Sequence, residues 1–450
     1  MPPEEKPDNG LKINYHDLVD DRLADGVFRV DRSVYLNRQI FEEELINVFE
    51  RHWSFLCHES LIAAPGDYYA THIGRQPVFI IRQETGRIGG FVNACAHRGA
   101  LLTQGPTGNA KRLICPFHSW SYDTEGACVS IKDEKLGFPE PNFDRRKFDL
   151  TPIPRIESYR GFVFGCFNPN APTLEDHLAG AKPFIDLYAD MSPDGLEMVP
   201  GFVTYVADCN WKLAHENGID AYHVSSVHGN FHQTITRRQE RPGYEGPFRT
   251  DYSRLLDRLP SGNYDLGNGH IGIWADRSEW NTQPLYEAKD RLSDEYGAER
   301  VKWMLGRARN LVVFPNMLLN DLAGSHLRTY RPLGPEKTEI TVWCIAPVGE
   351  SREARRARIW KFEDFFMPSG MATPDDLAAL ISAQTGSHGV DSRWNDFSRG
   401  ITTVTDGPDD AADELGLYPV NSNSASWTQE TVFHGVYREW LRLMTLEQSS

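Results

Sequence analysis

One pair of short motifs restricts what this chain can fold into more than any other feature. Cys95-Ala-His97 is followed, 17 residues later, by Cys115-Pro-Phe-His118. Two thiolates and two imidazoles, arriving as two pairs that single loops can wrap, suit either zinc or an iron–sulfur cluster, and the residue types alone do not choose between them. Gly99, Gly105 and Pro116 beside them supply the tight turns such loops need. Around the motifs, between residues 54 and 167, short apolar runs at 78–81, 91–94 and 161–167 alternate with Gly/Pro punctuation. That pattern predicts a small antiparallel β domain. Ahead of it, Ile40, Phe41, Leu45, Val48, Phe49 and Trp53 fall at helical spacing.

A second dense stretch runs from Asn210 to His228 and carries Asp220, His223 and His228. On an α-helix Asp220 and His223 lie about 60° apart and can touch, whereas His223 and His228 are splayed by about 140°. Either the helix ends there or it widens into a π-type turn, a feature common at functional sites. Gly218 within the same helix is a further local compromise. Two histidines and one carboxylate make the facial triad of non-haem Fe(II) oxygenases. Asp220 lies too near in sequence to be the obvious third ligand and fits better as the acceptor for the free N–H of His223. The other carboxylate candidate is Asp376, in Thr373-Pro-Asp-Asp376. Those letters also read as a helix start, with Thr373 as N-cap, Pro374 at N1 and Asp376 at N3.

The remainder of the chain excludes several classes. With 47 Lys+Arg against 63 Asp+Glu, the net charge of −16 repels phosphate backbones and anionic membranes, so nucleic acid is not an expected partner. No run approaches the roughly 18 apolar residues a membrane helix needs. The acidic, Pro-rich start MPPEEKPDNG has neither an apolar signal core nor an Arg-rich transit character, which points to the cytoplasm. Seven cysteines are too few and odd in number for a disulfide framework. Cys57, Cys128, Cys166, Cys209 and Cys344 read as small buried hydrophobes. His52, His58, His72, His215, His232, His270 and His434 lack partner spacing and read as structural. Residues 1–12 are expected to be disordered, 139–154 to form a Pro-rich loop, and the stretch from about 250 to Leu266 to be a surface loop. Beyond residue 168 helical segments mix with alternating strands such as 338–345, an α+β signature.

The first motif, C-x-H-x17-C-x2-H, resembles that of Rieske [2Fe–2S] centres, in which two His replace two Cys on one iron. Both constellations together resemble the large (α) subunit of Rieske non-haem iron aromatic-ring-hydroxylating dioxygenases over nearly the whole chain. The family's D-x2-H-x4-H falls on Asp220, His223 and His228, and its G-x4-D-D on Gly370, Asp375 and Asp376. The segments starting at Glu157, Glu216, Glu339 and Glu363 are similar to the benzoate/toluate 1,2-dioxygenase and anthranilate dioxygenase branch. Two departures stand out: Ser119 occupies the place where the family usually has Gly before Trp120, and Gly-Asn follows His228 where the branch carries a bulkier aromatic before Asn.

The resemblance implies an α+β fold with a small antiparallel Rieske domain placed before a larger catalytic domain, whose antiparallel sheet is packed by helices in helix-grip fashion. Residues 1–40 would be an arm and helix against the catalytic domain, 41–167 the Rieske domain and 168–450 the catalytic domain. Cys95 and Cys115 would bind one iron of a [2Fe–2S] cluster and His97 and His118 the other. His223, His228 and Asp376 would bind a mononuclear Fe(II), with Asp220 bridging His118 of one protomer to His223 of its neighbour for electron transfer. The expected partners are a small β subunit, in an α3 or α3β3 assembly, and a flavin/iron–sulfur reductase that passes electrons from NADH. The expected reaction is cis-1,2-dihydroxylation of benzoate or a substituted benzoate with O2, the sister possibilities being anthranilate, 2-halobenzoate and salicylate. For an aromatic carboxylate the pocket should be mainly apolar with a few polar groups, and Asn320, His326 and Arg328 are the candidates. A Rieske electron carrier alone is the rival from another class. It would leave Asp220, His223, His228 and Asp376 without work.

Overall fold

The computed structural model describes residues 13–138, 143–246 and 259–446. Its centre is a ten-stranded antiparallel sheet whose path runs Leu196–Met198, Lys337–Pro347, His326–Gly334, Met317–Asn320, Arg307–Val313, Ile271–Asp276, Ser261–Asp265, Asn421–Asn423 and Thr405–Asp406. Val203–Ala207 also pairs with Lys337–Pro347. Most of these strands are buried on both faces, and successive residues serve different layers. Val312, Leu318, Ile340 and Val342 join the core on one side, while Leu311, Val313, Leu319, Leu327 and Trp343 join the core on the other. Double burial explains why 311–314, Leu-Val-Val-Phe, is continuously apolar instead of alternating.

The first layer is helical. Trp211–Asn217 is started by Asn210, whose side chain accepts from Lys212 N at 3.0 Å. Its first turn is tied to two other segments through buried Glu44, which accepts from Lys212 Nζ at 2.5 Å, Trp211 Nε1 at 2.8 Å and Trp440 Nε1 at 2.7 Å. Trp440 belongs to the long helix Val432–Thr445, and Glu44 to the helix Arg38–Glu44, which widens into π-type turns over Leu45–Glu50. This helix begins two residues before Ile40 because Asn37 caps it, accepting from Gln39 N at 2.8 Å. Its Val48 and Phe49 enter the same core as Trp211.

The second layer contains three small antiparallel sheets from residues 54–166 together with the helix Lys182–Ala189. The expected runs at 78–81, 91–94 and 161–167 correspond to Gln76–Arg82, Ile88–Val92 and Phe162–Cys166. The edge strand Ser54–His58 packs against the ten-stranded sheet and is hydrogen-bonded to its Asn316. Asn316 accepts from Phe55 N at 2.8 Å and donates to Phe55 O at 3.0 Å, so a carboxamide stands in for a neighbouring strand.

Ser261–Asp265, expected within a surface loop, is instead a wholly buried strand. Several of its polar groups find partners inside: Tyr264 Oη donates to Asp409 at 2.8 Å, and Asp265 accepts from Gly267 N at 3.0 Å. The rest of that expected loop, 247–258, lies outside the described residues, as do 1–12 and 139–142. Residues 143–154 form irregular chain with a single 3-10 turn at Arg145–Phe148. No helix among the described residues is long and apolar enough to cross a membrane.

Candidate functional site

Two loops project from the small β sheets, and their backbones repeat one another. In the first, Gly99 N donates to Cys95 O at 2.8 Å and Cys95 N donates to Ala100 O at 2.9 Å. In the second, Ser119 N donates to Cys115 O at 3.0 Å and Cys115 N donates to Trp120 O at 2.8 Å. The residue closing each turn is left-handed, with φ of 72° at Gly99 and 61° at Ser119. Each loop therefore presents its cysteine inward and its histidine outward: both thiols are buried, and the His97 and His118 rings face each other at 4.6 Å near the surface. Trp120 stacks on His97 at 4.7 Å, and Tyr122 Oη lies 3.2 Å from Cys95 Sγ while accepting from Ala96 N. Burial, and Cys115 beside it, push the Cys95 thiol up. Two adjacent buried thiols below two imidazoles form a donor set that could hold a two-iron cluster.

The second site forms where a helix fails to continue. Trp211–Asn217 ends at Gly218, which is a C-cap and not an interior residue as its sequence position suggested. A Cβ there would come within 2.9 Å of a Leu318 methyl, so any larger residue would have to displace the Leu318 side chain. Asn310 Nδ2 donates to Gly218 O at 2.9 Å and pins the break to the sheet. The chain then turns around Asp220, whose Oδ1 accepts from Tyr222 N at 2.7 Å and His223 N at 3.2 Å. A short helix, Val224–Val227, separates His223 from His228. Thus the first of the two alternatives holds: the helix ends, and the histidines converge across the break.

Asp376 arrives from the first turn of the helix Thr373–Gly386. Thr373 is not the N-cap: Ala372 takes that place, and Thr373 Oγ1 donates to Phe366 O at 2.9 Å. Asp376 Oδ1 lies 3.3 Å from His223 Nε2 and 3.1 Å from His228 Nε2, and all three ligand atoms fall within 4.8 Å of one another. Asp220 Oδ2 stands 3.3 Å from the other ring nitrogen of His223. Burial disfavours the Asp376 carboxylate, yet the two imidazoles draw its pKa below the usual carboxylate range. Burial likewise opposes charge on His223, but Asp220 and Asp376 lift it to about 10. A buried carboxylate converging with two imidazole nitrogens could hold a divalent iron on one face and leave the opposite face open.

The open face borders a cavity walled by Ile273, Leu318, Phe365 and Phe366, with Asn320 and Arg328 among its polar lining. His326, the third sequence candidate, is not there. It is fully buried with its ring 3.8 Å from that of Phe366, which covers it from the cavity. Sequence reasoning missed Tyr122, Trp120, Asn310 and Phe365. Only Trp120 carried a signal, as a large aromatic two residues after His118.

Residues 52–140 match the Rieske [2Fe–2S] domain, and residues 197–445 match the catalytic domain of ring hydroxylating alpha subunits. The chain is 40% identical over 437 residues to toluate 1,2-dioxygenase subunit alpha of Pseudomonas putida, covering 96% of this chain and 95% of that one. It is 39% identical over 434 residues to the anthranilate 1,2-dioxygenase large subunit of Acinetobacter baylyi, covering 95% and 91%. Among solved structures, naphthalene 1,2-dioxygenase with indole bound in the active site superposes with a TM-score of 0.83 at 26% identity, over 96% and 95% of the two chains. A carrier with a Rieske domain alone does not account for the second match. The chain belongs to the α subunits of the ring-hydroxylating dioxygenases, Rieske non-haem iron oxidoreductases with a [2Fe–2S] cluster and a mononuclear iron that draw electrons from NADH through a reductase.

Proposed function

We propose that this chain is the oxygenase subunit that converts benzoate or a substituted benzoate, with O2 and NADH-derived electrons, into a cis-1,2-dihydrodiol carboxylate. The observation that carries the reading is the convergence of His223, His228 and Asp376 at a cavity that has an apolar wall of Ile273, Leu318, Phe365 and Phe366. The 1,2-dioxygenases at about 40% identity are named for toluate, 2-halobenzoate and anthranilate, all aromatic acids, and this supports the substrate class.

In this reading Cys95, His97, Cys115 and His118 hold the cluster, and His223, His228 and Asp376 hold the iron. When bound, the cluster supplies one stored electron at a time and the iron supplies open positions for oxygen. The protein's own groups do the rest. Asp220, 3.3 Å from the second ring nitrogen of His223, favours a proton on that nitrogen, which sets the tautomer and raises the basicity of the other. Its side chain is partly exposed, as an electron bridge to the His118 ring of a neighbouring protomer requires. Ile273, Leu318, Phe365 and Phe366 keep water from the ring-binding face. We take residues 1–40 as an arm on the catalytic unit, 41–167 as the Rieske domain and 168–450 as the catalytic domain. A small β subunit, an α3 or α3β3 assembly and a cytoplasmic location complete the proposal.

His223→Ala and Asp376→Ala test it. Each should lose turnover and the mononuclear iron while the visible absorption of the cluster persists; turnover at the parental rate in both would overturn the assignment. Product analysis with benzoate, toluates, anthranilate, 2-halobenzoates and salicylate then identifies the acid.

A further inference from the structure

Four arginines are buried among the described residues: Arg307, Arg309, Arg328 and Arg358. Three of them have carboxylates. Arg307 meets Asp276 and Glu414, Arg309 meets Asp321, and Arg358 meets Glu350. Arg328, only 5% exposed, makes no ion pair among the described residues. Its Nη1 donates to the neutral Asn217 Oδ1 at 3.3 Å, and its Nε has no partner. The phenols beside it supply no charge either: burial pushes Tyr330 up to about 12 and raises Tyr205 as well, so both remain neutral. Asp376 is within electrostatic reach of Arg328 but is held by His223 and His228 and makes no ion pair with it. A buried guanidinium without an ion pair is costly, and folds retain one where a ligand completes it.

Its position says which ligand. Arg328 lines the cavity that holds the His223–His228–Asp376 triad, and apart from the two imidazoles, Asp376 and Asp220 the other lining groups there are apolar or uncharged amides. Asn320, on the paired strand, spends its Oδ1 on Leu322 N at 2.9 Å, so what its side chain can still offer is a donor. With a divalent ion on the triad, the balance of charge around the cavity is positive. The cavity therefore combines an apolar slot for a flat ring with a cationic fork and an amide donor.

We infer that Arg328 receives the carboxylate of the substrate and sets the preference of the pocket for anionic over neutral arenes. This deepens the aromatic-acid reading above and rests on it. A neutral arene would leave the guanidinium buried and unpaired, and sites built to bind a polar group reject analogues lacking it by orders of magnitude. Arg328 acts here as a specificity residue and takes no part in oxygen chemistry.

The test compares benzoate with benzamide, its neutral isostere, by anaerobic calorimetric titration of the metal-loaded oxygenase. The parental protein should bind benzoate at least ~100-fold more tightly than benzamide. Arg328→Met should lose at least ~100-fold on benzoate and bind the two ligands within a few-fold of each other. Arg328→Lys, which keeps the charge without the fork, should fall between them. Retention of parental benzoate affinity by Arg328→Met would overturn the inference while leaving the aromatic-acid reading intact. Failure of the parental protein to bind any aromatic acid would instead sink that reading, and this inference with it. Should Arg328→Met lose its cluster absorption, the benzoate/benzamide ratio of the parental protein and of Arg328→Lys decides the matter, and equal affinities for the two ligands would overturn the inference.

Discussion

Ser119 shows how far a single letter can be read. The two cluster loops make the same pair of backbone hydrogen bonds, and each closes through a left-handed residue, Gly99 in one and Ser119 in the other. A side chain at positive φ costs about 1 kcal/mol, and serine offers no exemption. Ser119→Gly should therefore stabilise the loop by up to about 0.5 kcal/mol after the larger entropy of glycine in the unfolded chain is subtracted. The measurement is the temperature at which cluster absorption is lost, which should rise; a fall would mean that the serine hydroxyl does something for the loop that its backbone does not require. The ligand spacings were legible in the letters because coordination demands particular residue types at short, fixed separations. His326 was not legible in the same way. It shares a strand with Arg328, two residues away and so on the same face, yet Phe366 covers one and leaves the other at the cavity. Only the tertiary packing of the helix Arg352–Phe366 decides between them.

At the scale of elements, the meeting of His223, His228 and Asp376 depends on an interruption. Were Trp211–Asn217 to continue as a helix, His223 and His228 would point about 140° apart. The break is enforced by Gly218 at the end of the helix, by the turn around Asp220, and by Asn310 reaching across from the strand Arg307–Val313 to the Gly218 carbonyl. Asn310→Ala leaves that carbonyl without its donor and should cost about 1–3 kcal/mol. Because the lost bond holds the segment carrying two ligands, the variant should release the mononuclear iron more readily, its total falling from about three irons per chain toward two, with the cluster retained. Iron analysis after dialysis against a chelator checks this, and parental retention would show that the loop holds its shape without the strand. The spacing of Asp220, His223 and His228 revealed that ordinary helix geometry would not serve, but not how it is broken, since the partner asparagine lies far along the chain. The buried strand Ser261–Asp265 escaped for a related reason. Its letters, Ser-Gly-Asn-Tyr-Asp, read as a loop until Asp409, Thr431 and Trp427 supply their hydrogen-bond partners.

The molecule as a whole is held together where its distant parts meet, and one such junction is made of histidines. His52 follows the helix that leads into the small β sheets, His177 lies on the helix Leu174–Leu178, and His270 sits in the turn before Ile271–Asp276. Their rings are stacked edge to face at 4.7 Å in both steps. Glu439 and Arg442 of the terminal helix adjoin them, with Glu439 3.7 Å from His52 and bound to Arg442. Burial lowers His52 to about 3 and His270 to about 4, and pushes His177 well below its ordinary value, with the neighbouring cations adding to the effect on His52 and His177. His270 is also locked in its neutral form, since Nε2 donates to His177 O at 2.7 Å while Nδ1 accepts from Phe314 N at 3.0 Å. The folded pKa values lie below the unfolded one, so it is the unfolded chain that takes up protons first. Stability from these groups is fully present above about pH 6.5 and is lost as the pH falls from there, toward about 4 for His270 and about 3 for His52, at about 1.4 kcal/mol per pH unit for each histidine that titrates. His177→Phe keeps the edge-to-face contacts, deletes two ring nitrogens that have no hydrogen-bond partner, and removes one titrating group. Urea midpoints measured between pH 7 and pH 5 should therefore fall less steeply in the variant, by about one group's share, and the variant should be the more stable protein at pH 5. A parental slope in His177→Phe would mean that acid enters the molecule elsewhere and that this junction stays closed while the rest opens.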